Sequence, residues 1–216
     1  MIRFLIFALG LLMAPPLHAQ HGGQRMHHGF GDAEKWSQVF DDPARDAWQK
    51  PGEVIAALKL APDAAVADIG SGTGYFAVRL ARAVPRGRVY GADIEPDMVK
   101  FLNDRAKKEG LGNLSSHRAA ESGPAIPAPV DVALLVDTYH HIDRRVAYFE
   151  GLKKQLKPNG RVAIIDFTLE SQSGPPREHR LAPQIVKSEM RRAGYRLAEE
   201  HAFLPNQYFL VFEPTK

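Results

Sequence analysis

The amino-acid sequence predicts an α/β domain built on a doubly wound, mostly parallel sheet. Three observations carry this. From about residue 51, five short strand-like stretches, most of them apolar, alternate with helix-length segments. The first apolar run passes directly into a glycine-rich junction, Gly70-Ser71-Gly72-Thr73-Gly74, which opens a helical pattern. The chain then ends on two strand-like runs whose link is too short for a crossover.

The elements follow in order. Asp32 is placed to cap a first helix with Trp36, Val39 and Phe40 on one face. Pro51 suits the opening turn of a second helix, with Val54, Ile55 and Leu58 at helical spacing. Strands are expected at Ala65–Ile69, Arg88–Ala92, Ser115–Ala119, Asp131–Val136 and Arg161–Phe167. Helices are expected between them at Tyr75–Ala83, Pro96–Glu109 and Arg144–Leu156. Apolar runs separated by such helices read as βαβ units, with a sheet buried on both faces. A last helix, Pro183 to Ala193, precedes strands Tyr195–His201 and Tyr208–Glu213 around the turn Leu204-Pro205-Asn206. Two strands so closely linked pair antiparallel, which closes a parallel core with a C-terminal hairpin. No internal repeat and no second domain is visible.

A chain of 216 residues suits one such domain with a modest extension. With 44% hydrophobic and 25% charged residues, it is not a wholly disordered chain. The net charge of +3 is spread without a Lys/Arg run, so no nucleic-acid partner is expected. The absence of cysteine excludes disulfides, thiolate nucleophiles, cysteine metal sites and lipid attachment at cysteine.

The first residues differ from all that follow. Arg3, the apolar run Phe4 to Ala14, and Pro15-Pro16-Leu17-His18-Ala19 form the three regions of a secretory signal peptide. The apolar run is too short to span a bilayer comfortably. Residues 1–19 are therefore expected to be removed, leaving a periplasmic or secreted protein without stable membrane insertion. The alternative is a start at Met26, which deletes the apolar segment and leaves the protein cytoplasmic. Residues 20–31 are rich in Gly and His and read as a flexible linker. His21, His27 and His28 there have no carboxylate or fixed scaffold beside them, so no metal site is expected. The folded domain is assigned to residues 32–216.

The glycine junction is the sharpest signal. In Asp68-Ile69-Gly70-Ser71-Gly72-Thr73-Gly74-Tyr75 the glycines permit a tight turn and a close backbone approach to a ligand. Amides at the helix start would then be open to an anionic group. The spacing is GxGxG, whereas a dinucleotide site reads GxGxxG or GxGxxA. Asp68 before the loop suits an ammonium group and would repel a pyrophosphate. At the end of the next strand Asp93 can accept both hydroxyls of a ribose, or cap the helix opening at Pro96.

These residues resemble motif I and the following acidic position of class I S-adenosylmethionine-dependent methyltransferases. The resemblance covers residues from about 51 to 213 and is nearest to the ubiquinone/menaquinone C-methyltransferase-like (methyltransferase type 11) group. It implies a Rossmann-like sheet of seven strands and S-adenosylmethionine as cofactor. By that resemblance Asp68, Gly70, Ser71, Gly72 and Gly74 hold the amino-acid end, Asp93 holds the ribose, and Ile94 neighbours the adenine. Where the group usually places an acidic residue for the adenine amine, this chain has Ala119. The backbone at Ala120, or Glu121, would have to serve instead.

After the fourth strand comes Val136-Asp137-Thr138-Tyr139-His140-His141. Ligands of such sheets gather outside the carboxyl ends of the strands, which places Asp137, Tyr139, His140 and His141 near the sulfonium. The methyl group arrives activated, so the protein mainly aligns an acceptor and excludes water. If the acceptor must lose a proton, His140 or His141 suits the role of base; packing against the neighbouring helix is the alternative. Adjacent residues point in different directions, so only one of the pair is expected to face the acceptor. Asp166, ending the fifth strand, fits either a pocket or a cap. Trp36, Phe40, Trp48 and Tyr75 fit an aromatic cover or, for each Trp, core packing. Glu178, His179 and Arg180 read as solvated surface. The expected function is methyl transfer to a small molecule, with O-, N- and C-acceptors all compatible and the oligomeric state unspecified. A thiol-based metalloid methylation is not expected without cysteine. The competing class is an exported, non-catalytic binding protein for S-adenosylmethionine or a related nucleoside; a dinucleotide oxidoreductase is disfavoured by the glycine spacing.

Overall fold

The computed structural model describes residues 32–215. The expected leader 1–19, the linker 20–31 and its histidines lie outside the described residues. Within them, the strands are β1 (Ala65–Ile69), β2 (Arg88–Asp93), β3 (Leu114–Arg118), β4 (Val130–Val136), β5 (Leu156–Phe167), β6 (Tyr195–His201) and β7 (Gln207–Pro214). They form one seven-stranded sheet in the order β3-β2-β1-β4-β5-β7-β6. β1 to β5 run parallel, and β7 pairs antiparallel with both β5 and β6. This is the seven-stranded α/β sheet that the sequence predicts.

Successive residues of β4 explain why its apolar run is continuous. Leu134 belongs to a core with Val66, Phe76, Leu80, Leu102 and Phe209 on one face. Leu135 belongs to a second core with Ile69, Phe149, Val186 and Leu210 on the other. Side chains alternate across a strand, so a sheet covered on both faces needs an apolar residue at every position. The covering helices include α3 (Pro51–Ala57), α4 (Tyr75–Ala83), α5 (Pro96–Lys108), α6 (Arg145–Leu152) and α7 (Pro183–Arg192). Each buried Leu or Phe stabilises the fold by about 1.5–3 kcal/mol.

Three local expectations are corrected. The helix expected to reach Leu156 ends at Leu152; Lys153–Gln155 tightens into a 3-10 turn, and Leu156 already pairs with Val130 as the first residue of β5. β3 begins one residue early, at Leu114, which is buried under the helices. The first helix, α1 (Ala33–Phe40), is capped by Asp32, whose Oδ1 accepts from the Lys35 amide at 3.1 Å. Its apolar residues do not form a core face. Val39 is 59% exposed, and only Ala33 is buried. The reason is position: α1 meets the start of α5 and the glycine loop, with the Asp32 amide donating to Asp97 Oδ2 at 3.2 Å and the Phe40 ring 3.5 Å from a Cβ built on Gly72.

That position matters for function. α1, a 3-10 turn at Pro43–Arg45 and the short helix α2 (Asp46–Gln49) form an N-terminal strap. Arg105 of α5 holds the strap by its 2.8 Å ion pair with Asp41. Trp48 packs on Phe167 at the end of β5, with ring centroids 5.8 Å apart. Gln49, fully buried, donates to Gln207 at the start of β7 at 2.6 Å. The strap thus covers the carboxyl ends of the central strands. β1 and β4, adjacent in the sheet but leading to opposite neighbours, form its topological switch point, the usual place for a ligand crevice.

The loop after β5 is fixed from within. Arg180 donates to the carbonyl oxygens of Pro175, Thr168, Ser171 and Ser173. Its expected reading as solvated surface gives way to a structural one, while Glu178 is exposed.

Candidate active site

The glycine junction follows β1 at the switch point. Gly70 has φ +73°, and a Cβ there would lie 2.2 Å from Thr138 Oγ1. The loop and the end of β4 approach closely because this residue has no side chain. The loop amides turn inward. Gly70 and Ser71 donate to the Ala92 carbonyl, Gly72 donates to Asp93 Oδ2 at 2.8 Å, and Gly74 donates to the Ser71 carbonyl. These four are therefore spent within the protein, in contrast to the open amides expected from the motif. The Ser71 hydroxyl points to β2: a Cβ on Gly91 would lie 2.9 Å from it.

Asp68 and Asp93 stand side by side beneath this loop. Asp68 is 3% exposed. Burial pushes its carboxyl up to about 7, the Asp93 charge adds to the rise, and the Ala77 amide in the first turn of α4 and Arg45 pull it down. Asp93 accepts from Gly72 and, through Oδ1, from Glu95 at 3.0 Å. Burial raises its pKa too. It thus anchors the glycine loop and closes the turn before α5; it does not cap that helix, whose N-cap is Glu95 without a side-chain cap bond, and each Asp93 oxygen keeps a second lone pair for a ligand. Beside it Ile94 is 48% exposed, an apolar surface open to a flat partner.

The neighbouring turn is closed by its own backbone. The Ala119 amide donates to the Asp93 carbonyl, and Ala120 is bridged to Gly123 in both directions at 3.0 Å. Glu121 is exposed on that turn.

Across the switch point the end of β4 carries a second group. Asp137 has φ +54°, and its amide donates to the Ile165 carbonyl. Its carboxyl is raised above the usual range, first by burial and then by Asp166, against the lowering pull of Arg45 and His140. Gln207 donates to Asp137 Oδ1, and Arg45 Nη2 lies 3.5 Å from Oδ2.

The two histidines differ in burial. His140 has a 5% exposed side chain and places Nδ1 2.9 Å from both carboxyl oxygens of Asp166, itself 2% exposed. Asp166 also accepts from the His140 amide at 3.2 Å. This pairing fixes the ring and leaves Nε2 as the nitrogen available to an acceptor. Burial is the largest single influence on His140 and lowers its pKa; the hydrogen bond and charge of Asp166, with Asp137, outweigh it, so the net shift is upward. His141 is exposed, its ring centroid 4.1 Å from that of His140. Tyr139 turns into the core and donates to Glu189 at 2.8 Å. Asp166, left open between pocket and cap, is thus the partner of His140.

The residues present fit S-adenosylmethionine. Asp68 and Asp137 offer carboxylates to a cationic amino-acid end, and Asp93 offers one to ribose hydroxyls. The buried Thr73 Oγ1 and Tyr208 hydroxyl have no hydrogen-bond partner, as polar groups awaiting a ligand do. Among the described residues, no group of three or more His, Asp or Glu is arranged to hold a metal ion. One consequence is direct. Asp93→Ala is expected to weaken S-adenosylmethionine binding at least tenfold, since charged hydrogen bonds contribute roughly 1.5–3 kcal/mol each. Titration calorimetry checks this, and an unchanged affinity would remove Asp93 from the site.

Comparison with known proteins agrees with this geometry. A family model described as a methyltransferase domain matches residues 60–203. The chain is 29% identical over 149 residues to 27-O-demethylrifamycin SV methyltransferase of Amycolatopsis mediterranei, covering 68% of this chain and 53% of that protein. It is 27% identical to a ubiquinone/menaquinone biosynthesis C-methyltransferase of Syntrophotalea carbinolica, covering 53% of this chain and 48% of that one. The chain thus spans about half the length of the curated relatives it matches. Among solved structures, a SAM-dependent methyltransferase from Aquifex aeolicus superposes with a TM-score of 0.77 at 28% identity, covering 84% of this chain and 97% of that one. From the glycine loop to the C-terminal hairpin, sequence, fold and likeness agree: the chain belongs to the methyltransferase domain family, within the S-adenosylmethionine-dependent superfamily.

Proposed function

We propose that this protein methylates the hydroxyl group of a small organic molecule, using S-adenosylmethionine. The observation that carries the reading is the His140–Asp166 pair at the carboxyl ends of β4 and β5. The cofactor, when bound, supplies an already activated methyl group. What remains for the chain is to align the acceptor and take its proton. A hydroxyl is a poor nucleophile until that proton leaves. An imidazole held through Nδ1 by a buried carboxylate keeps Nε2 as the accepting nitrogen and stabilises the imidazolium that results. Asp166 acts through His140 and is a positioning residue.

The strap supports a small acceptor. Phe40 and Trp48 lie over the carboxyl end of the sheet, with a Cβ on Gly72 placed 3.5 Å from the Phe40 ring and Trp48 against Phe167. The likeness to 27-O-demethylrifamycin SV methyltransferase, an enzyme named for O-methylation, favours the same acceptor class. The test is release of S-adenosylhomocysteine on mixing the protein and cofactor with parallel panels of phenols, alcohols, amines and carbon acids. Release with hydroxyl compounds supports the reading. Release with amines alone overturns it.

We infer further that the protein works outside the cytoplasm, on the strength of the three-part leader in Met1–Ala19. The body lacks cysteine and folds without regard to the redox compartment. Mass spectrometry of the native N-terminus after fractionation checks this. A periplasmic chain beginning at Gln20 is the expected result; a cytosolic chain beginning at Met26 contradicts it.

A further inference from the structure

Arg45 lies outside the residues matched by the family model, yet its charge acts on both Asp68 and Asp137. Its own strap holds the guanidinium in place. Nε donates to Gln49 Oε1 at 3.2 Å, Nη1 donates to the Phe40 carbonyl at 3.0 Å, and the group stacks on Tyr75 with its carbon 4.1 Å from the ring centroid. Only Nη2 reaches the acidic groups, and its 3.5 Å separation from Asp137 exceeds the 2.7–2.9 Å usual for a charged N–H···O bond. The guanidinium is thus pre-aimed at the switch point with a loose partner.

The strap is locked in this register by a closed ring of polar contacts. Arg45 contacts Gln49, Gln49 donates to Gln207, Gln207 donates to Asp137, and Asp137 faces Arg45. Gln49 and Gln207 are 0% and 3% exposed, so the ring is inside the protein. Next to it the buried Tyr208 hydroxyl, under the influence of Asp166 and Asp137, has no hydrogen-bond partner.

The amino-acid end of S-adenosylmethionine is a zwitterion. Its ammonium is complementary to Asp68 and Asp137. Its carboxylate would be repelled by both, and the amides of Gly70, Ser71, Gly72 and Gly74 are already spent. We propose that Arg45 is the cofactor's carboxylate partner, so that the strap supplies the anion-binding half of the site and the family domain supplies the cation-binding half. Arg45 is a specificity residue: it selects a cofactor bearing an α-carboxylate. This rests on the cofactor reading above.

The test compares two ligands by calorimetry: S-adenosylmethionine and its decarboxylated analogue, which keeps the ammonium, sulfonium and nucleoside. Wild-type protein is expected to prefer the carboxylate-bearing ligand. Arg45→Met is expected to lose ~10–100-fold in affinity for it, with little change for the analogue, as a charge-assisted pair is removed. Arg45→Lys, which keeps charge without the fork, is expected to fall between, and thermal melts confirm that both variants are folded. Equal losses for both ligands would make Arg45 a clasp of the strap and overturn the proposal. Tighter binding by Arg45→Met would make it an internal competitor and also overturn it. Failure of the wild type to bind either ligand overturns the cofactor reading itself, a separate outcome.

Discussion

His140→Gln is expected to lower turnover by ~10²–10⁴-fold while cofactor affinity stays nearly constant. The geometry of one ring dictates this. Both Asp166 oxygens lie 2.9 Å from Nδ1, so the imidazole has a fixed orientation and one remaining nitrogen for chemistry. Asp166→Asn is expected to keep the fold, reduce turnover and change its pH profile. The sign follows from proton linkage. A base works unprotonated, so turnover rises with pH through the pKa of His140, which is raised above its ordinary 6.5. Removing the carboxylate charge deletes the main upward influence and moves that rise to lower pH. A profile that does not move in Asp166→Asn would reduce Asp166 to packing. His141, exposed beside the pair, is expected to tolerate Gln with a far smaller loss.

Asp68→Asn should make the ligand-free protein more stable and the cofactor complex weaker. The folded carboxyl has a pKa of about 7 against 3.8 in the unfolded chain, with burial the first cause and Asp93 the second. The folded state therefore binds this proton more tightly than the unfolded state does. Its relative stability is greatest below about pH 4 and falls as pH rises toward 7, after which the penalty is complete. Three pKa units correspond to roughly 4 kcal/mol as an upper value, at 1.36 kcal/mol per unit. Asparagine carries no such charge. At pH 8 the variant is expected to melt ~5–10 °C higher than wild type, with the gap shrinking toward pH 4. An equal or lower melting temperature at pH 8 contradicts this. The same substitution removes a partner for the ligand ammonium, so calorimetry should show weaker binding. The site thus accepts a standing electrostatic cost that a cationic ligand relieves.

The features legible in the sequence are local ones. The GxGxG loop, Asp93 at the next strand end and the apolar runs of β1 and β4 declare themselves within a few residues, because strand period and turn chemistry are short-range properties. Partnerships across the chain do not. Asp166 meets His140 only because β4 and β5 are neighbours in register, with Val136 opposite Ile165. Arg45 meets Asp137 across 92 residues, and Gln49 meets Gln207 across 158. Some signal was present. Gln207 opens the strand Gln-Tyr-Phe-Leu-Val-Phe, and a lone amide heading so apolar a run asks for a buried partner. Arg45 and Gln49 are spaced to share one helical face. The exposure of Val39 was not legible, because helical spacing gives a face without saying what, if anything, covers it.

The fate of a labelled methyl group decides whether this chain is a methyltransferase acting on hydroxyl compounds. The protein, with residues 1–19 removed, is incubated with methyl-labelled S-adenosylmethionine and a low-molecular-mass extract of its host, beside His140→Gln as control. Label is expected in a small molecule, on oxygen by fragmentation, matched by equimolar S-adenosylhomocysteine and nearly absent with the variant. Tight cofactor binding with no S-adenosylhomocysteine formed, or equal labelling by wild type and His140→Gln, would contradict it.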